Sequence, residues 1–210
     1  KGFCLYSPDN LEILEQYGAR IVPFSPLEDG SLPDDIDGIY FGGGYPEVYA
    51  ETLASKKTLM RQIRENSRAG MPIYGECGGF MMLCRQLTGI DGDRKFDMAG
   101  CFDFSVSMSK RLRSLGYREI ALEKDTIIGK KGDVIRGHEF HYSSLENPDA
   151  HPDNVYRVSS RAGQDIDLKG CQVHSTLGSY LHLHFGSNPE CARHFVDACR
   201  KFRLKRVNRT

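Results

Sequence analysis

No stretch of this 210-residue sequence approaches the ~20 consecutive apolar residues that a membrane span needs. Net charge is lacking as well. The 28 Lys and Arg residues balance 28 Asp and Glu residues, which excludes a broad electrostatic surface for nucleic acid or anionic membrane. The seven cysteines contain no CxxC pair. An odd number scattered through apolar stretches fits a reducing cytoplasm, not a disulfide framework, and most of them read as small buried hydrophobes. There is no lysine-bearing P-loop and no GxGxxG pattern. Lys1-Gly2-Phe3-Cys4 has the pattern neither of a signal peptide nor of a normal translational start, and reads as the start of an excised or truncated piece. Repeats and low-complexity linkers are missing too.

What is present is the composition of an ordinary globular domain, long enough to bury a core without metals or disulfides. Short apolar runs alternate with helical patterns, which predicts an α/β fold with a largely parallel sheet. Strands are expected at residues 3–6, 20–24, 38–41 and 71–74. Helices are expected after Pro8-Asp9-Asn10, ending at Gly18, and over about Lys56–Arg68, ending at Gly70. Further strand-like pieces fall at residues 101–108, 117–122, 134–142, 155–159 and 178–185. Asn188-Pro189-Glu190 offers a capping side chain, a proline and an acid for a last helix. One domain is read over residues 1–203, with a basic tail at 204–210 that reads as a solvated helix end.

The stretch Tyr74-Gly75-Glu76-Cys77-Gly78-Gly79-Phe80 puts one cysteine between a strand pattern and a helix pattern, with glycines on both sides. That context presents a nucleophile on a cramped turn, and the positive end of the following helix is expected to favour thiolate. The alternative is a buried cysteine at a tight turn. Phe41-Gly42-Gly43-Gly44-Tyr45-Pro46-Glu47 also follows a strand. Backbone N–H groups of Gly43 and Gly44, with that of Gly78, can form an oxyanion hole. A phosphate cradle and a plain glycine turn are the alternatives.

Gly178-Ser179-Tyr180-Leu181-His182-Leu183-His184-Phe185 brings two histidines to one face of an expected strand, about 6–7 Å apart, so only one can serve a given sulfur. Histidine suits the part of base because its pKa lies near neutrality. Core histidines or a two-histidine metal site are the alternatives, although no further ligand has convincing spacing. Arg136-Gly137-His138-Glu139-Phe140-His141 carries histidines three apart, not the four of a zinc-protease helix. It is read as a polar strand bordering a site, with no metal.

These motifs, in this order and over nearly the whole chain, resemble the C-terminal glutaminase domain of cobyrinic acid a,c-diamide synthases. Pro8-Asp9-Asn10-Leu11 and Leu115-Gly116-Tyr117-Arg118 complete the set. The resemblance implies a class I glutamine amidotransferase fold, a flavodoxin-like three-layer sandwich. It implies Cys77 as nucleophile, His182 as base and glutamine as substrate. Triad-type relatives carry a glutamate two residues after the base. Here that position is His184, so the site is a Cys–His dyad or takes its orienting group elsewhere, with Glu139 the candidate and His141 and His184 lining the site.

The resemblance implies no cofactor in this domain. An N-terminal ATP-binding synthetase domain, absent from this chain, would use ATP and Mg2+ to activate the a and c carboxylates of a corrinoid. Hydrogenobyrinate or Ni-sirohydrochlorin are alternative acceptors, a homodimer is compatible, and a non-catalytic interaction module is the remaining alternative.

Overall fold

The computed structural model describes residues 7–146 and 154–208; the strand expected at 3–6 lies outside them. Pro8 opens α1 (Pro8–Gln16). The chain leaves that helix through Gly18 at φ +90°, whose N–H donates to the Glu15 carbonyl. β1 (Ile39–Phe41) is followed by a 3-10 turn and α2 (Ala50–Ser55). α3 (Lys57–Arg68) buries Leu59, Met60, Ile63 and Ser67 along one stripe. It stops at Gly70, φ +86°, after which β2 (Ile73–Glu76) runs into α4 (Gly78–Leu83). β3 (Gln86–Thr88), β4 (Lys95–Asp97), β5 (Ser105–Met108), β6 (Ser114–Leu122), β7 (Val134–His141) and β8 (Ser143–Leu145) form the middle of the chain. β9 (Tyr156–Ser160), β10 (Asp165–Ile166), β11 (Cys171–Val173), β12 (Thr176–Ser179), β13 (Leu181–Leu183) and α5 (Pro189–Val207) complete it.

The central sheet has the order β1-β2-β12-β11, parallel except for β11. Ile73 and Thr176 are register partners, and the Thr176 hydroxyl meets that of Ser67 on α3 at 2.6 Å. Tyr74 points the other way, with its ring 6.5 Å from that of Phe195 on α5. Helices therefore cover both faces, which gives three layers. Two further sheets extend this core. One is antiparallel, β10-β9-β6-β7-β13, and the other is mixed, β4-β3-β5-β8.

Several expectations shift. Residues 20–24 are in no strand among the described residues, and Pro23 has no N–H to give a ladder. Residues 101–104 are bends that pack Phe102 and Phe104 in a stack, ring centres 5.4 Å apart. Asn188 does not cap α5, because its amide donates to the Val134 carbonyl instead. That helix continues through Val207, past the residue 204 boundary given for the tail, and Arg206 pairs with Asp37 at 3.2 Å. The expected strand at 178–185 is two strands in two sheets. It breaks at Tyr180, whose ring packs edge-on against Phe80 at 5.3 Å. β12 thus flanks β2, while β13 pairs with β7.

Candidate active site

Cys77 sits in the left-handed region, φ 45° and ψ −103°, between β2 and α4. A side chain there is strained and persists only where its surroundings impose it. They do: the Cys77 N–H donates to the Ser179 carbonyl at 2.8 Å, and its carbonyl accepts the Met81 N–H at 2.9 Å. The glycines behind it allow close approach of a second loop. A Cβ on Gly78 would lie 2.5 Å from the Gly44 carbonyl oxygen and 2.7 Å from the Gly44 nitrogen. The Gly79 N–H donates to the Gly42 carbonyl at 3.1 Å. Gly42–Gly44 and the first turn of α4 are therefore in backbone contact, with Gly43 buried between its two neighbours.

The expected thiolate is not what this setting favours. Cys77 is 6% exposed, and its S–H donates to the Phe140 carbonyl at 3.6 Å. Burial pushes the thiol up to about 12. A hydrogen bond from the Gly78 N–H opposes this, and the fields of Glu47, Glu76 and Glu139 add to it. α4 has only six residues, and those nearby charges are all negative, so the helix end is outweighed.

His182, on β13, places Nδ1 3.8 Å from Oε2 of Glu76. Glu76 directly precedes Cys77, so one buried carboxyl group joins the Cys77 turn to the His182 strand. Glu76 is 1% exposed. Its Oε1 accepts the Tyr74 hydroxyl at 2.9 Å and the Leu183 N–H at 3.0 Å. Burial raises its pKa to about 8 against the hydrogen bonds from Tyr74, Leu183 and Tyr40, which lower it. Asn10 completes the support. Its amide donates to the Leu183 carbonyl at 2.7 Å and to the Tyr40 hydroxyl at 3.2 Å, and its oxygen accepts the Phe185 N–H at 2.8 Å. Among the described residues β13 is an edge strand, and side chains bond its outer backbone groups at Leu183.

Glu139, the carboxylate expected behind the imidazole, is engaged elsewhere. It is the register partner of Leu181, so the pleat directs it to the face opposite His182. Its Oε2 accepts from Arg118 Nε at 2.7 Å, and its Oε1 lies 3.0 Å from His141 Nε2. Burial alone would raise its pKa, but the hydrogen bonds from His141, Ser114 and Arg118 hold it below the ordinary range. His141 lies flat on the Tyr180 ring at 3.9 Å. His184 falls beyond the end of β13, half exposed, with Nε2 3.6 Å from Asp9 Oδ2.

Glu76 was legible in principle. A carboxylate closing an otherwise apolar strand is costly to bury unless it is partnered. Asn10 gave a weaker signal, as a polar residue on the inner face of a helix. Among the described residues, no group of three or more His, Cys, Asp or Glu side chains is arranged to hold a metal ion.

Residues 1–190 match the family described as the CobB/CobQ-like glutamine amidotransferase domain. The chain belongs to this family. Among relatives of the CobB/CobQ-like domain, the cobyrinate a,c-diamide synthase of Leptospira interrogans is 43% identical over 198 residues, 94% of this chain and 43% of that protein. The cobyrinate a,c-diamide synthase of Caldanaerobacter subterraneus is 38% identical over 206 residues, 98% of this chain and 45% of that protein. The chain thus spans less than half the length of these relatives. PurLQS from Thermotoga maritima superposes with a TM-score of 0.57 at 18% identity, over 92% of this chain and 91% of that one. A structure described as a glutamine amidotransferase gives 0.62 at 14% identity, over 90% and 91%. At such identities they speak to the fold, which is that of class I glutamine amidotransferases.

Proposed function

We propose that Cys77 and His182 hydrolyse glutamine, and that the ammonia serves an ATP-dependent cobyrinate a,c-diamide synthase. The observation that carries this reading is the Cys77 turn, strained, backed by the Gly42–Gly44 loop and joined to His182 through Glu76. The thiol loses its proton to His182 as sulfur bonds to the side-chain amide carbon. N–H groups of Gly43 or Gly44 and of Gly78 receive the developing oxyanion. His182 passes the proton to the leaving nitrogen, and ammonia departs from the thioester. Water then gives a proton to His182 and hydroxide to the acyl carbon. The C–S bond breaks, the proton returns to sulfur, and glutamate leaves.

Support for the acceptor comes from relatives named cobyrinate a,c-diamide synthase. Their remaining length would supply the synthetase domain, with ATP and Mg2+ to activate the corrinoid carboxylates. Free cysteines fit a reducing compartment, so the cytoplasm is the proposed location. Among the described residues no helix is long and apolar enough to cross a membrane.

Ammonia release from glutamine tests the site. The chain alone should turn over slowly, because its resting sulfur donates to Phe140 and is held as thiol. Cys77→Ala should abolish release, and His182→Ala should reduce kcat on the order of 100-fold or more. His184→Ala should cost far less. Equal losses at 182 and 184, or the reverse order, would remove His182 from its role.

A further inference from the structure

We propose that Glu76 is the positioning carboxylate of the His182 imidazole, holding Nδ1–H so that Nε2 is the nitrogen that trades protons with the Cys77 sulfur. The inference rests on the glutaminase reading above and fills the place left by His184 at the position where triad-type relatives carry an acid.

Three observations converge on it. Glu76 Oε1 is saturated by the Tyr74 hydroxyl and the Leu183 N–H, so Oε2 is the oxygen presented to His182 Nδ1, at 3.8 Å. The groups around the carboxyl are donors. The Tyr40 hydroxyl already accepts from Asn10, so its own proton is available to Glu76. A fully buried carboxyl ringed by donors is arranged as an acceptor, and His182 is the one partner among these whose charge changes in the proposed reaction. Finally, Glu76 and Asn10 bond both backbone groups of Leu183, the residue after His182. The same network that aims the carboxylate also fixes the strand on which the imidazole is mounted. A satisfied buried network of this kind sets one geometry and tolerates few others.

With Nδ1–H held by Glu76, the neutral ring has Nε2 bare, ready for the thiol proton. When Nε2 takes it, the imidazolium forms beside a carboxylate, and the charge on Glu76 that had opposed thiol ionisation is compensated. Burial holds the Glu76 pKa at about 8, so the carboxylate that accepts Nδ1–H is the form that gains as pH rises toward that value, and an imidazolium beside it favours the same form. Contact at 3.8 Å is longer than a finished hydrogen bond, and catalytic contacts of this kind tighten when substrate enters.

Two measurements test the proposal. The first is the pH dependence of glutamine hydrolysis, and of Cys77 capture by a diazoketone analogue of glutamine, in the parent chain, Glu76→Gln and Glu76→Asp. Glu76→Gln should lower kcat on the order of 100-fold with KM within about threefold, and should displace the ionisation that limits capture. Glu76→Asp should recover part of kcat and the parent's profile. The second needs no variant: nitrogen-15 NMR of the parent's imidazoles, with the His182 signal assigned by its loss in His182→Ala. The neutral ring should carry its proton on Nδ1. Glu76→Gln with the parent's kcat and profile would overturn the assignment. So would a fall in kcat with the profile unmoved, which marks a merely structural role, or a ring protonated on Nε2. If the parent itself fails to be captured at Cys77, the glutaminase reading fails instead, while the tautomer still decides the role of Glu76.

Discussion

At Cys77, burial and the fields of Glu47, Glu76 and Glu139 act in one direction, and the resting sulfur keeps its proton. A thiol of this kind is inert toward bystander electrophiles and acquires its reactivity from a base positioned next to it. The same burial acts on Glu76, and there it has a consequence for stability. Its folded-state pKa of about 8 stands above the ordinary 4.5, so the folded chain binds an extra proton between those values. Stability from this group is complete below about 4.5 and is lost as pH rises to about 8. Thermal melts of the parent and of Glu76→Gln between pH 5.5 and 8.5 should therefore diverge. The variant should gain several degrees on the parent as pH rises. Parallel curves would show that burial does not perturb Glu76 in this way. Cys77 stood out in the sequence because glycines surround it. Its protonation state did not, because that depends on Phe140 and Glu139, some sixty residues away in the chain and brought beside it only by folding.

The elements that build the site are short, and close backbone contact adds to the core packing of Phe80, Met81, Met82 and Leu83. α4 begins against the Gly42–Gly44 loop, where the space for a Cβ on Gly78 is occupied by Gly44 backbone atoms at 2.5–2.8 Å. A Cβ on Gly79 would meet the Phe41 carbonyl oxygen at 2.6 Å and that of Gly42 at 2.8 Å. Backbone cannot swing aside as a flexible side chain does. Gly78→Ala and Gly79→Ala should each destabilise the chain by about 1–3 kcal/mol in denaturant titration. Both should also lose turnover, because the loop that carries the proposed oxyanion donors is displaced. Unchanged midpoints and rates would mean that the loop is free to move. Periodicity made α1, α3 and β2 legible, since each buries one stripe or lies wholly inside. It could not show that residues 178–185 divide between two sheets, because Gly178-Ser179 and the alternating Leu181-His182-Leu183-His184 read as one strand across the bend at Tyr180. Nor could it show that Asn188 would bond to Val134 across the fold instead of capping its own helix.

On the scale of the whole molecule, the site lies at a seam. Cys77 ends a strand of the parallel sheet, His182 belongs to the antiparallel one, and Glu76 and Asn10 stitch the two together. This division explains what the sequence could and could not reveal about the site. The proposed nucleophile and base sit in local motifs, and the order of those motifs along the chain was sufficient to recognise the family. Burial marked Glu76 as a residue in need of a partner, but His182 is 106 positions away and only folding brings the two together, while the pleat turns Glu139 to the other face. The glutaminase account depends on one atom, the Cys77 sulfur. The most direct measurement is mass-spectrometric mapping of the adduct left by a glutamine-mimicking electrophile on the parent chain and on Cys77→Ala. The account predicts a single adduct on Cys77, blocked by excess glutamine and absent from Cys77→Ala. An adduct on another cysteine, or labelling that survives Cys77→Ala, would contradict it.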